Sequence, residues 1–388
     1  MPRIPVETAE SLIGEAFAAA GCSDAEGARI AVSLVSANLA GHDSHGIVRV
    51  PRYLDMLRDG RVVADREVES VSDTGAMAVL DGRLGFGQTI GPQAVRCGID
   101  KARSGGVGVV ALRNTGHLGR IGEWSAMAAE EGLVSVHFVN ARGSILVAPY
   151  GARERRFSTA PFCVAVPRRD RDPLVLDFAT SVVAEGKVLV AAKGGKPVPD
   201  HALIDGEGRL TSDPVALYGT AGPDAPPQFR DGKGAIRAMG DHKGSGLALM
   251  CELLGGALTG NGVCGPAQRP FANGMFSLYA VPDAFGPGEA FSRTVEDYIE
   301  WLLSARPADP DKPVLVPGDP ERATAAERRA NGLPLAEDAW TAILAAVRAT
   351  GLASGRIDAL LANGAAGGEG PASGPHSREA GGSWAQRM

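Results

Sequence analysis

Little in this sequence invites a cross-link. Its five cysteines, Cys22, Cys97, Cys163, Cys251 and Cys264, contain no C-x-x-C pair and are odd in number. That argues against a disulfide framework or a thiolate zinc site, and for a reducing compartment. A basic surplus is also lacking: 39 Lys and Arg face 45 Asp and Glu, a net charge of −6. Nucleic acid and a membrane surface are therefore not expected partners. No apolar run approaches the ~18 residues that span a bilayer, and no basic-then-apolar leader opens the chain. The expected location is the cytoplasm. There is no internal repeat. Glycine, by contrast, is abundant, 52 of 388 residues, roughly twice the average share. Much of it is paired or clustered, which reads as tight turns and close backbone approaches. A chain of this length holds two or three domains with enough core to need no staples.

Residues 6–60 read as three helices. Ile30 and Leu34 form one i,i+4 row, and Ala31, Val35 and Leu39 another, the apolar face of a helix. Ser23–Asp24–Ala25–Glu26 has capping-box spacing. Pro51 suits a first helical turn and Gly60 a stop. Met77–Leu80 reads as a strand and Gln88–Ser104 as a helix. Val107–Leu112, the loop Asn114–Gly119, the helix Ile121–Glu131 and the strand Leu133–Val139 together have the length of a βαβ unit. Phe162–Val166 and Leu174–Phe178 read as paired strands, Val182–Ala192 as a short helix, and 193–240 as mostly loop. His242–Leu258 reads as a strong helix with Leu247, Met250, Leu254 and Leu258 on one face. Met275–Val281 and Val314–Val316 read as strands; Phe291–Ala305, Pro320–Ala330 and Glu337–Thr350 read as helices. From Gly364 to Met388 there is little to bury, so a disordered tail is expected.

Chemistry concentrates between Leu39 and Tyr53, where His42, Asp43, Ser44, His45, Arg49, Arg52 and Tyr53 share a corner between two helices. Such a corner can hold side chains in one geometry. Adjacent residues on a turn rarely put a Ser hydroxyl against their neighbour's ring, and there is no G-x-S-x-G elbow, so a serine hydrolase is disfavoured. His42 and His45 lack the further ligands a zinc site needs, and no metal is expected. His117 falls in a loop after a strand and before a helix N-terminus, where α/β proteins bind ligands. That setting keeps an imidazole neutral and able to exchange a proton. Arg49 is placed to clamp a carboxylate. Asp177 follows three apolar strand residues. It could orient a His, bind a ribose hydroxyl or cap a helix. Lys243 and the free N–H groups at the start of its helix suit phosphate. Gly106–Ala111 matches G-x-G-x-x-A but enters a strand instead of following one, and Gly85–Phe86–Gly87 fits equally poorly.

Taken together, seven stretches resemble one family, the malate/L-lactate dehydrogenases of the second type, the sulfolactate-dehydrogenase-like oxidoreductases. They are Asp43–Gly46 with Arg49, Pro51 and Tyr53; Thr115–Arg120; Val147–Gly151; Asp177–Ser181; Gly186–Val188; His242–Gly244 with Gly246–Leu249; and Val316–Gly318. The resemblance implies hydride transfer between NAD or NADP and a small 2-oxo/2-hydroxy acid, or a cyclic imino acid, in a homodimer. It implies a mixed α/β fold. A non-Rossmann, mixed-sheet NAD(P)-binding domain (76–284) would join a helical, substrate-side domain (1–75 with 285–362), and 363–388 would be the tail. Carried over by motif, His117 is the proton donor and acceptor, and Arg49 and Tyr53 hold the anionic substrate. Ser44 and His45 line it, with Asp177 relaying to His45. Asp177, Phe178, Ala179, Thr180, His242, Lys243, Gly244, Gly318 and Arg322 contact the cofactor. Where the family has Gly-Thr-Asn-Pro, this chain reads Ser158–Thr159–Ala160–Pro161. The missing Asn side chain raises the alternative of a binding or regulatory relative with impaired catalysis.

Overall fold

The computed structural model describes residues 2–192, 197–220, 231–267 and 269–366. It begins with β1 (Arg3–Ile4), α1 (Val6–Ala19) and α2 (Asp24–Leu39). Two 3₁₀ turns, Asp43–His45 and Ile47–Arg49, lead into α3 (Val50–Arg58). The capping box forms only in half. Ser23 Oγ accepts from the Glu26 N–H at 3.2 Å, but the Glu26 carboxylate turns inward to Thr89 Oγ1 and the Asp65 N–H. Burial decides this: Glu26 is fully enclosed, and an enclosed carboxylate must find donors.

Next come β2 (Glu69–Asp73), β3 (Met77–Asp81), α4 (Gly87–Gly105), β4 (Val107–Thr115), α5 (Ile121–Glu130) and β5 (Val134–Arg142). They are followed by β6 (Val147–Ala148), β7 (Pro161–Val166), β8 (Leu174–Ala179), α6 (Glu185–Ala192), β9 (Leu203–Ile204) and β10 (Leu210–Thr211). Then come α7 (Val215–Tyr218), β11 (Ala235–Arg237), α8 (His242–Cys251) and β12 (Ala272–Ala280). The described residues finish with α9 (Gly288–Leu303), α10 (Asp319–Asn331), β13 (Leu333–Pro334; paired with β1), α11 (Glu337–Arg348) and α12 (Ser354–Ala366).

The main sheet has seven strands in the order β2-β3-β4-β12-β5-β7-β8. Only β3 and β4 run parallel as neighbours; the other pairs are antiparallel. The expected β4-α5-β5 unit is therefore split, because β12 inserts antiparallel between its two strands. The run Gly106–Ala111 enters β4 itself. The fold is mixed α/β, with α4 and α5 packed on the face of this sheet that carries Val139 and Cys163 and α8 on the face that carries Phe138 and Phe162.

Three cores result. The first joins both chain ends: Leu12, Phe17, Ile30 and Leu34 pack with Ile343, Val347 and Ile357. The second lies under α4 and α5, around Ile99, Leu112, Trp124 and Tyr279. The third draws partly on 193–240, which is mostly loop as expected among its described residues, 193–196 and 221–230 lying outside them, but carries short elements. Strands β10-β9-β11-β6 form a small sheet over Leu146, Val188, Leu203, Leu217 and Ile236. Its strands are two or three residues long, too short to show alternation. Conversely, Val314–Val316 forms no strand. The expected tail falls largely outside the described residues, and α12 runs on to Ala366.

The helix expected over 242–258 is α-helical only to Cys251; Glu252–Leu258 is a π-helix. Its leucines do not form the packed face. Gly244, Ala248, Cys251 and Gly255 are buried, whereas Leu249, Met250, Leu253 and Leu258 are exposed. A Cβ on Gly255 would lie 2.8 Å from the Asn140 N and the Phe138 carbonyl, so the helix presents its small residues to approach β5 closely. Among the described residues no helix is long and apolar enough to cross a membrane. The five cysteines are free thiols.

Candidate active site

The corner between α2 and α3 is built from within. Asn38, fully buried on α2, accepts the Ile47 N–H at 2.8 Å and donates to Asp43 at 2.6 Å. Arg328 of α10 holds both Asp43 and the Asn38 carbonyl. Arg49 Nε donates to the Ser44 carbonyl at 2.5 Å, fixing its guanidinium beside the turn. Ser44 Oγ lies 3.2 Å from His45 Nδ1, the neighbour contact that the sequence made improbable.

His117 arrives from the loop after β4. That loop is clamped at several points. The Gly116 N–H donates to the Gly85 carbonyl at 2.8 Å, the Leu118 N–H to Asn273 Oδ1 at 2.9 Å, and Trp124 Nε1 to the Leu118 carbonyl at 2.8 Å. The His117 and His45 rings stack 5.6 Å apart, 8° from parallel. Tyr53, expected against the substrate, is buried with its hydroxyl 2.6 Å from His117 Nδ1. Its polar end is therefore taken up by the imidazole. Burial holds both imidazoles neutral, and the Arg49 charge adds to this. His45 is pushed down to about 3, and His117 well below its ordinary value.

The expected relay from Asp177 to His45 is not formed. Asp177 Oδ2 accepts the Gly122 N–H at 2.7 Å, at the start of α5, where a helix N-terminus favours a carboxylate. Burial raises its pKa against the pull of Arg120 and His42. His42 Nε2 lies 3.4 Å from Glu321 of α10. Asp177, Arg120, His42 and Glu321 thus form one charged cluster. Arg120 Nε is buried in it with no hydrogen-bond partner.

The remaining candidates divide. Phe178 packs on Phe162, and Ala179 pairs with Pro161 at the end of β8. Thr180 is buried, and its hydroxyl donates to the Thr159 and Ala160 carbonyls. His242 and Lys243 are exposed at the start of α8, with the Tyr150 ring 6.0 Å from His242, while Gly244 is buried against Met239. Gly318, at φ +99°, caps α10. Arg322 is committed to Asp319 and the Pro173 carbonyl. Among the described residues, no hydrogen bond or ring contact ties His242–Gly244 to the His117 corner. Ala160 is fully buried against Ala248 and Cys251.

Asn38, Gln88, Glu123 and Arg328 were not singled out from the sequence. Gln88 alone had a signal, following the Gly85–Phe86–Gly87 run that matched no fingerprint. Glu123 is buried, accepts from Ser33 Oγ at 2.7 Å, and burial pushes its pKa up to about 7.

Comparison with known proteins identifies the family. The family model for malate/L-lactate dehydrogenase matches residues 4–344. Hydroxycarboxylate dehydrogenase B of Escherichia coli K12 is 39% identical over 363 residues, 92% of this chain and 97% of the relative. L-sulfolactate dehydrogenase of Methanothermobacter thermautotrophicus is 32% identical over 352 residues, 89% and 96% of the two chains. Among solved structures, malate dehydrogenase from Pyrococcus horikoshii superposes with a TM-score of 0.79 at 27% identity, covering 91% of this chain and 96% of that one. The chain belongs to the malate/L-lactate dehydrogenase family and is an oxidoreductase of hydroxy acids, acting on a CH–OH group.

Proposed function

We propose that the enzyme transfers a hydride between NAD or NADP and a small anionic 2-oxo/2-hydroxy acid of the malate and lactate type. One observation carries this: a neutral, enclosed imidazole, His117, stands beside a second imidazole and within the field of Arg49. A carboxylate on Arg49 offsets the charge that depresses His117, so its proton affinity rises as the substrate arrives. His117 then exchanges a proton with the substrate oxygen, where charge changes during the reaction. Ser44 and His45 line the same corner. A cyclic imino acid has the same carboxylate and a polar nitrogen in place of that oxygen. The name of one relative supports it as a second substrate class: a Delta(1)-pyrroline-2-carboxylate/Delta(1)-piperideine-2-carboxylate reductase of Pseudomonas putida, 37% identical over 259 residues.

The residues present fit a phosphate-bearing cofactor. The orphaned Arg120 Nε asks for an anionic oxygen. Gly318 and Arg322 at the start of α10, His242 to Gly244 at the start of α8, and the 177–180 segment would hold the group. Thr180 would contribute backbone only. When bound, the nicotinamide supplies or accepts the hydride. The exposed leucines of α8 and its π-helical extension form an apolar face, and a second copy of the chain is the proposed cover.

The test is loss of reduced-cofactor absorbance with NADH or NADPH and a panel of 2-oxo acids. His117→Ala is expected to lower kcat/KM about 10²- to 10⁴-fold while cofactor binding, followed by fluorescence, persists. Near-normal rates in that variant would mean that the proton leaves by another group.

A further inference from the structure

The glycine run before α4 has a use that no nucleotide motif explains: it brings Gln88 beneath the active imidazole. Gln88 is fully buried. Its Nε2 lies 3.3 Å from the His117 carbonyl and 3.3 Å from the Tyr53 hydroxyl. The carbonyl can only accept, so the atom facing it must be the amide nitrogen. That nitrogen has two hydrogens for two acceptors, while Gln88 Oε1 finds no partner. The Tyr53 oxygen therefore receives a hydrogen bond from Gln88. Its own proton is left to point at His117 Nδ1, 2.6 Å away.

We propose that Gln88, acting through Tyr53, holds the neutral His117 ring as the Nε2–H tautomer, so that the unligated site meets the substrate oxygen as a hydrogen-bond donor. Gln88 and Tyr53 are positioning residues. The chain has a fixed sense because it starts from a backbone carbonyl, which cannot reverse its role. Protonating Nδ1 would set a ring N–H against the Tyr53 O–H, so the network also opposes the imidazolium. This adds to the effects of burial and of the Arg49 and Arg52 charges around the ring. The proposal deepens the role given to His117 above and rests on that reading only for its kinetic consequences.

The tautomer can be read without turnover. Long-range ¹H–¹⁵N spectra of the unligated ¹⁵N-histidine protein, with His117 assigned by its loss in His117→Asn, should show Nε2 protonated and Nδ1 bare. In Gln88→Met, which is of similar length and has no amide, Tyr53 is free to turn, and the second tautomer should appear. With substrate and cofactor, kcat should fall about 10- to 100-fold, the range typical for partners that orient an active group, at nearly unchanged KM. The pH limb belonging to His117 should move up. Tyr53→Phe should move that limb the same way. An Nδ1–H signal in the wild-type protein overturns the proposal, whether or not the variants fold. So does a folded Gln88→Met variant with wild-type tautomer and pH limb. If the tautomer is as stated but His117→Asn turns over normally, the catalytic reading fails and the tautomer assignment stands.

Discussion

At the scale of single residues, the site depends on groups held in their neutral form by enclosure. Glu123 shows the cost. Its carboxyl titrates at about 7 in the fold against an ordinary 4.5. Below the lower value both folded and unfolded chains are protonated, and the group has no effect. As pH rises through the interval the unfolded chain releases its proton first, so stability falls, and above the upper value the penalty is constant. Glu123→Gln keeps an acceptor for Ser33 and carries no charge. It should be more stable than the parent by about 3 kcal/mol above neutrality and unchanged in acid. Melting temperatures across the interval would show it; a constant difference at all pH values would assign the effect to packing. The sequence displayed His45, Arg49 and His117 because their types are chemically conspicuous. Gln88 and Asn38 stayed hidden because an amide gains its meaning only from what it touches.

At the scale of elements, the placement of His117 is a matter of α4 meeting a loop. Helix α4 starts at Gly87, and a Cβ there would lie 2.2 Å from the His117 carbonyl oxygen. Backbone cannot yield as a side-chain tip does. Gly87→Ala should therefore cost about 1–3 kcal/mol and lower kcat more than it raises KM, because the loop that carries the imidazole must shift. Calorimetry and steady-state rates test both. If the rate is unaffected despite a lowered melting temperature, the loop tolerates displacement. Most helices were legible from their 3.6 periodicity, whereas the helix after His242 was misjudged in its facing. Its apolar row predicts inward leucines, yet the sheet accepts only small residues at that distance. The buried Glu252, held by Ser158, Asn140 and the Cys264 N–H, stands where the helix turns to π geometry.

At the scale of the whole molecule, apolar surface is left over. Leu253 is 44% exposed and Leu258 60%, and on α9 Tyr298 and Trp301 stand out as well, 60% and 70% exposed. Exposed apolar side chains on the 249–258 helix are the face for which a second copy of the chain is proposed above as the cover. Light scattering after gel filtration is expected to give twice the chain mass, and Leu253→Asp to shift the protein toward monomer. A monomeric parent would leave that face without its proposed partner. This surplus was present in the sequence as an amphipathic helix, but periodicity gives the existence of an apolar face and not what covers it.

By itself the sequence determined most helices, the corner from His42 to Tyr53 and the loop around His117, because each depends on neighbours along the chain; the mixed α/β class came from the family resemblance. Only the tertiary structure decided that β12 splits the β4-α5-β5 unit, that three tiny strands join β6 over residues 203–237, and that Asp177 serves the start of α5 and not His45. The contacts of Tyr53 with the imidazole and of Gln88 with Tyr53 were likewise beyond the sequence. All of these join residues far apart in the chain, and their free energies arise from burial and from satisfying enclosed polar groups, which exist only once the parts are packed.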